Sequence, residues 1–191
     1  MVQIKKETVR EAILTSARAV FEKEGYAQST MNQIAREAGI SPGTLYVYFP
    51  SKLKVFFAIY EPWLRGRLAR LAKQCRGIHP PRARLERLLR GLWRDIPFAD
   101  NVFSNNLIQA ASISDPKEGY DDSLLEWSKA QVCEIIRECL PPARRKALNV
   151  ERLVHLMFMA FDGFSLNAHL APKRPCDEAL IRTLVDLILH E

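Results

Sequence analysis

TMNQIAREAGISPGTLYVYFPSK, residues 30 to 52, reads as two short helices joined by a tight glycine turn. Thr30 is a side-chain N-cap, and Gln33 three residues on completes a capping box. Ile34, Ala35 and Ala38 then fall on one face, at the spacing of a packed helix. Gly39 sits where the end of a helix needs a residue tolerant of positive φ. Ile40 turns inward, Ser41 caps the next helix, and Pro42 stands at its first position, where a missing N–H costs nothing.

That second helix is expected over about Pro42 to Phe49. At about 100° per residue, Leu45 and Phe49 share one side and anchor it to a core. Gly43, Val47 and, slightly round, Thr44 occupy the opposite side, flanked by Tyr46 and Tyr48. Such a side suits a groove reader. Gly43 lets the backbone approach closely, Thr44 offers a hydroxyl, and Val47 can meet a thymine methyl. The two phenols can reach phosphates on either groove wall, as can Lys52 just beyond. A structural helical hairpin with surface tyrosines is the other reading of the same residues. In the first reading the layout is a helix-turn-helix, whose second helix enters the DNA major groove.

From about Glu7 to Phe56, a quarter of the chain, the sequence resembles the DNA-binding domain of the TetR family of bacterial transcriptional repressors. The resemblance is carried by Ile13, Ala17, Val20, Phe21, Gly25 and Tyr26. It continues through Thr30, Ile34-Ala35, Ala38-Gly39-Ile40-Ser41, Gly43, Leu45-Tyr46, Tyr48-Phe49 and Lys52. It implies an all-α homodimer with an N-terminal three-helix reader and a helical ligand-binding and dimerisation body, released from its operator by a small molecule. It also places DNA contacts on Thr30, Ser41, Gly43, Thr44, Tyr46, Tyr48 and Lys52. Tyr48 departs from the family pattern, in which histidine is common there.

Charge and composition agree with a protein that offers one end to DNA. Residues 1–56 hold 8 basic and 5 acidic side chains, residues 57–96 hold 10 and 3, and the rest hold 10 and 14. A basic front and an acidic rear fit such a partner. The arginine-rich middle, from Arg65 to Arg94, is expected to form a mostly solvated face, with some of its members adding long-range attraction to DNA or pairing with acids of the rear. The N-terminus runs into an amphipathic helix without a signal-type apolar region, and no apolar run reaches 18 residues, so a cytoplasmic protein with no membrane partner is expected. Cys75, Cys133, Cys139 and Cys176 form no CxxC pair and are expected to be reduced, buried hydrophobes. His155 and His169 share a helix but stand about 21 Å apart, so no metal site is expected.

Along the chain, helices are expected from about Lys6 to Glu24, with Gly25 as the stop, and from Ser51 onward, with a kink or break near Pro62. Further helices follow over about 83–93, 101–112, 122–140, 150–170 and 177–190. Residues 114–122, SDPKEGYDD, read as a polar turn region. The expected domains are residues 1–52, the reader, and 53–191, the body.

The helix over Val150 to Leu170 is apolar almost all round, and the last helix nearly so, which calls for partners on every side. Pairing both with a second copy about a two-fold axis is the natural solution. Phe161, Phe164, Leu184, Val185 and Ile188 are the candidate interface residues. Trp93, Phe103, Asn106, Trp127, Phe158 and Asp162 are candidates for an effector site, since bundle pockets are apolar with a few placed polar groups. Asp162 has an alternative as a buried carboxylate held by an arginine or a backbone cap.

A regulator released from a pseudo-palindromic double-stranded operator by a small molecule is the expected function. A DNA-associated protein controlled by a protein partner, with no small-molecule effector, is the alternative. No Ser/His/Asp order, phosphate loop, HExxH or pair of catalytic carboxylates stands out, so neither an enzyme nor a cofactor is expected.

Overall fold

The computed structural model describes residues 2–115, 121–170 and 176–189. Residues 116–120 of the expected polar turn lie outside them. Among the described residues the regular structure is all helical, with ten α-helices and one π-helical turn. They are α1 (Val2–Gln28), α2 (Met31–Glu37), α3 (Pro42–Tyr48), α4 (Lys52–Arg76), α5 (Pro81–Arg90), the π turn (Gly91–Asp95), α6 (Asn101–Ile113), α7 (Ser123–Cys139), α8 (Pro142–Ala147), α9 (Val150–Leu170) and α10 (Glu178–Leu189).

The chain divides into two compact units, Met1–Trp63 with Asn105–Tyr120, and Leu64–Ser104 with Asp121–Glu191. The division differs from a boundary at residue 52. The first part of α4 and most of α6 belong with the reader, because they supply part of its core and its hydrogen bonds. In the first unit Ile13, Ala17 and Phe21 of α1, Ile34 and Ala35 of α2, and Leu45 of α3 are all buried. Phe56 closes this core, edge-on to Phe21 at 5.9 Å and to Tyr26 at 5.6 Å. A fully buried side chain of this size contributes about 1.5–3 kcal/mol.

Gly25 interrupts α1 as expected, at φ 74°, and the chain then runs one further turn to Gln28. Helix α4 does not break at Pro62. The proline is exposed. The carbonyl that it deprives of a partner therefore lies on the solvent side, where water can take it.

In the second unit, the expected single helix over 83–93 is instead α5 followed by the π turn. The Ile96 N–H bonds the carbonyl five residues back, on Gly91, at 2.9 Å. Gly91 has no room for a Cβ, because Leu71 fills that space. The arginines of the middle block tie this region to the acidic rear, as expected of some of them. Arg90 clasps Glu178 with two bonds of 2.9 and 2.7 Å, Arg94 reaches the same carboxylate at 2.7 Å, and Arg82 reaches Asp186 at 2.6 Å. The bonds from Arg90 and Arg94 hold the Glu178 carboxyl at about 2, well below the usual range.

All four cysteines are free and buried, and burial raises each thiol, Cys75 and Cys176 to about 11. They are therefore inert packing groups at neutral pH. Among the described residues, no helix is long and apolar enough to cross a membrane.

Candidate nucleic-acid interface

Local chemistry sets both reader helices. Thr30 Oγ1 accepts the Gln33 N–H at 3.2 Å, and Gln33 Oε1 accepts the Thr30 N–H at 2.7 Å, so the capping box forms. After α2, Gly39 takes φ 67°. The Ile40 N–H then bonds the Ala35 carbonyl at 3.0 Å, and the Gly39 N–H bonds that of Arg36 at 3.1 Å. This is the paired closure that a left-handed glycine permits. Ser41 caps α3, its Oγ accepting the Thr44 N–H at 3.1 Å.

Leu45 and Phe49 are buried and fasten α3 to the core. The other side faces outward. Val47 is 83% and Tyr46 52% exposed, and Gly43 and Thr44 are also exposed. An exposed valine on a helix this short has no part in the fold. Next to a phenol, a hydroxyl and a glycine, it forms the kind of surface that meets base edges. Tyr48 is half-buried at the margin. Thr30 and Ser41 are exposed, with their hydroxyls already engaged in capping.

Lys52, a candidate phosphate contact, is engaged within the chain. Its ammonium donates to the carbonyls of Tyr26 at 2.6 Å and Ser29 at 2.8 Å. It also lies 4.3 Å from the centroid of the Tyr26 ring. The last carbonyls of α1 lack helical partners, so a cation is drawn to them. The structure therefore gives Lys52 a bracing role.

The tentative effector residues divide between the two units, Asn106 in the first and Trp93, Phe103, Trp127, Phe158 and Asp162 in the second. Trp93, Phe103 and Phe158 are buried in the second unit. Trp93 donates its indole N–H to the Met157 carbonyl at 3.1 Å and tilts against Phe164 at 5.2 Å. Trp127 is half-buried, with the Arg65 guanidinium 4.4 Å from its ring centroid. Asn106 belongs to the other unit, and its amide is bound to the backbone of α1. Asp162 is exposed on α9 rather than buried. Partial desolvation raises its carboxyl, with no charged group contributing.

The candidate interface residues lie mostly on the inward faces of α9 and α10. Phe161, Val185 and Ile188 are buried within the unit's own core, and Phe164 and Leu184 are half-buried. The exposed apolar residues are Leu156, Met159, Leu166 and Leu170 on α9, with Leu180 and Leu187 on α10. Both helices are apolar on two faces, and sequence periodicity alone does not say which face turns inward.

Sequence reasoning missed the roles of Tyr26, Asn106 and Gln109. Their partners stand 80 or more residues apart, so no local pattern marks them. The one available signal was a polar Asn within the apolar stripe of α6.

A capped α2, a glycine turn and an α3 with an outward face form a helix-turn-helix, the motif that enters DNA major grooves. The sequence profile described as "Bacterial regulatory proteins, tetR family" matches residues 13–59. Escherichia coli (strain K12) UidR, an HTH-type transcriptional regulator, is 36% identical over 77 residues, 40% of this chain and 39% of UidR. The transcriptional repressor BepR of Brucella suis is 46% identical over 50 residues, 26% of this chain and 24% of BepR. The matched segment thus spans well under half the length of these curated relatives. The fold is shared over nearly the whole chain with solved structures. FadR from Bacillus subtilis, in complex with stearoyl-CoA, superposes with a TM-score of 0.65 at 17% identity, covering 94% of this chain and 97% of that one. A TetR-family regulator from Thermus thermophilus, PfmR, gives 0.60 at 20% identity, over 93% and 97%. Residues 13–59 thus match the DNA-binding region of the TetR family, and the chain shares its helical fold with solved TetR-family regulators.

Proposed function

We propose that the chain works as a homodimeric repressor that leaves its operator when the second unit takes up a small molecule. The observation that carries the reading is the unpartnered α3 face around Val47, held outward by the buried Leu45 and Phe49. Two such faces about 34–36 Å apart, on a two-fold dimer, would meet successive major grooves of a pseudo-palindromic site. The exposed apolar residues of α9 and α10 support dimerisation, since a monomer gains nothing by leaving them in water.

An effector in the second unit would contact mostly apolar and aromatic groups, with Trp93, Phe158 and Trp127 as candidates. The stearoyl-CoA carried by the Bacillus subtilis FadR of the same fold supports long-chain acyl thioesters as the first class to try. Release requires only that the effector bind the non-DNA state better than the DNA state. Because α4 and α6 each run through the division between the units, either helix can carry that preference to the reader.

The test is an operator selected from a random duplex pool, followed by titration of acyl-CoAs and aromatic acids against the complex. Release by one compound, with that compound's affinity reduced by the operator in the same ratio, is expected. An operator complex indifferent to every small molecule, and released by a protein from the native host, would favour control by a protein partner.

A further inference from the structure

Helix α1 ends abnormally, and the end is repaired from a distant part of the chain. Gly25 leaves helical geometry, so the N–H groups that follow it lose the carbonyls four residues back. The Tyr26 N–H is taken instead by Asn106 Oδ1, and the Ala27 N–H by Gln109 Oε1 at 2.7 Å. The Asn106 Nδ2 returns a bond to the Phe21 carbonyl at 3.3 Å, and the Tyr26 hydroxyl meets Ser114 Oγ at 3.1 Å. Asn106 is 1% exposed, so water cannot substitute for its amide. A Cβ at Gly25 would lie 3.2 Å from Gln109 Oε1, so the glycine also makes space for this grip.

We propose that Asn106 and Gln109 are positioning residues for DNA binding. The working reader is discontinuous in sequence: the two amides of α6 fix the direction in which the chain leaves α1 for α2, and α2 carries α3. Lys52 braces the same corner from α4, through the carbonyl of the residue whose N–H Asn106 holds. Tyr26 is therefore gripped on both sides of its backbone, and the angle of the corner is set by side chains rather than by helix continuity. This role needs no effector and stands apart from the mode of release.

Three full-length variants test it against an operator selected by the wild-type chain: Gln109→Met, Gln109→Glu and Asn106→Leu. Gln109 is half-buried, so its variants fold, and they decide the outcome even if Asn106→Leu does not. Gln109→Met loses the acceptor and is expected to weaken operator binding by about five- to tenfold while far-UV circular dichroism stays unchanged. Gln109→Glu keeps an acceptor for the Ala27 N–H and is expected to bind within about twofold of wild type. Hydrogen exchange is expected to speed up at Tyr26 and Ala27 in Gln109→Met and not at Ile34 or Leu45. Wild-type affinity in Gln109→Met, equal losses in Met and Glu, or faster exchange throughout the unit would each overturn the proposal.

Discussion

Lys52 holds Tyr26 twice, by a 2.6 Å bond from its ammonium to the Tyr26 carbonyl and by lying 4.3 Å from the centroid of the ring. We expect a cation held in this way to brace the corner rather than neutralise a phosphate. Lys52→Met is expected to lower the stability of the reader by about 2 kcal/mol, the usual worth of hydrogen bonds to a charged group. It should leave the salt dependence of operator binding unaltered. A lysine that neutralised a phosphate would take about 0.9 from the slope of log K against log salt when removed. Denaturant midpoints together with binding isotherms at several salt concentrations separate the two roles, and a slope reduced by that amount would restore the phosphate contact.

The outward face of α3 predicts a loss of binding without a loss of fold. Nothing but Ser41 Oγ, at 3.9 Å, comes near a Cβ built on Gly43. Gly43→Leu therefore meets no obstacle within the chain, yet fills the space that a close approach to the duplex needs. Tyr46→Ala likewise removes an exposed ring. Both variants should abolish operator binding in gel-shift assays, with stability within about 0.5 kcal/mol of wild type. Binding that survived both would remove α3 from the groove.

The capping box, the glycine turn and the anchors of α3 were legible in the sequence because each depends on neighbours within five residues. Gly25 was legible as an interruption for the same reason. What it required was not, since Asn106 and Gln109 lie in a helix that the turn of the chain brings alongside. The bonds of Lys52 were not legible, because a lysine after a reader helix has two possible acceptors, a phosphate or the carbonyl end of another helix. Only the packing of α1 beside α4 decides between them. The π turn at Gly91–Asp95 was hidden as well, and the side chain packed against its first residue, Leu71, belongs to a different helix. The apolar faces of α9 and α10 were legible as faces, but their inner and outer sides carry the same residue types.

The exposed residues of α9 and α10 change which substitutions should split a dimer. Leu156→Glu with Leu187→Glu places charges on side chains that are 65% and 63% exposed in the single chain, so each subunit keeps its fold. Sedimentation should then show monomers with unchanged helix content, and operator affinity should fall with the loss of the paired reader. Ile188→Glu is expected to behave differently. Ile188 is 2% exposed, and a charge there should destabilise the unit by several kcal/mol and unfold it rather than divide the dimer. A double variant at Leu156 and Leu187 that remained dimeric would place the interface elsewhere.

Glu178 gives the second unit a pH dependence whose sign is fixed by its partners. Arg90 and Arg94 hold its folded-state carboxyl at about 2, against an ordinary value of 4.5. A carboxylate lowered on folding contributes stability that is fully present above its unfolded value. That contribution is lost as pH falls through the interval between 4.5 and about 2, where the unfolded chain takes up the proton first. Glu178→Gln should therefore be less stable than wild type by a constant amount above about pH 5, and the two should converge near pH 2. Asp162 has the opposite sign. Its carboxyl is raised by desolvation alone, so Asp162→Asn should be the more stable protein at neutral pH, with the gain shrinking on acidification. Paired urea titrations at several pH values measure both curves. A Glu178→Gln difference that persisted unchanged to pH 2 would show that the clasp acts through shape rather than charge.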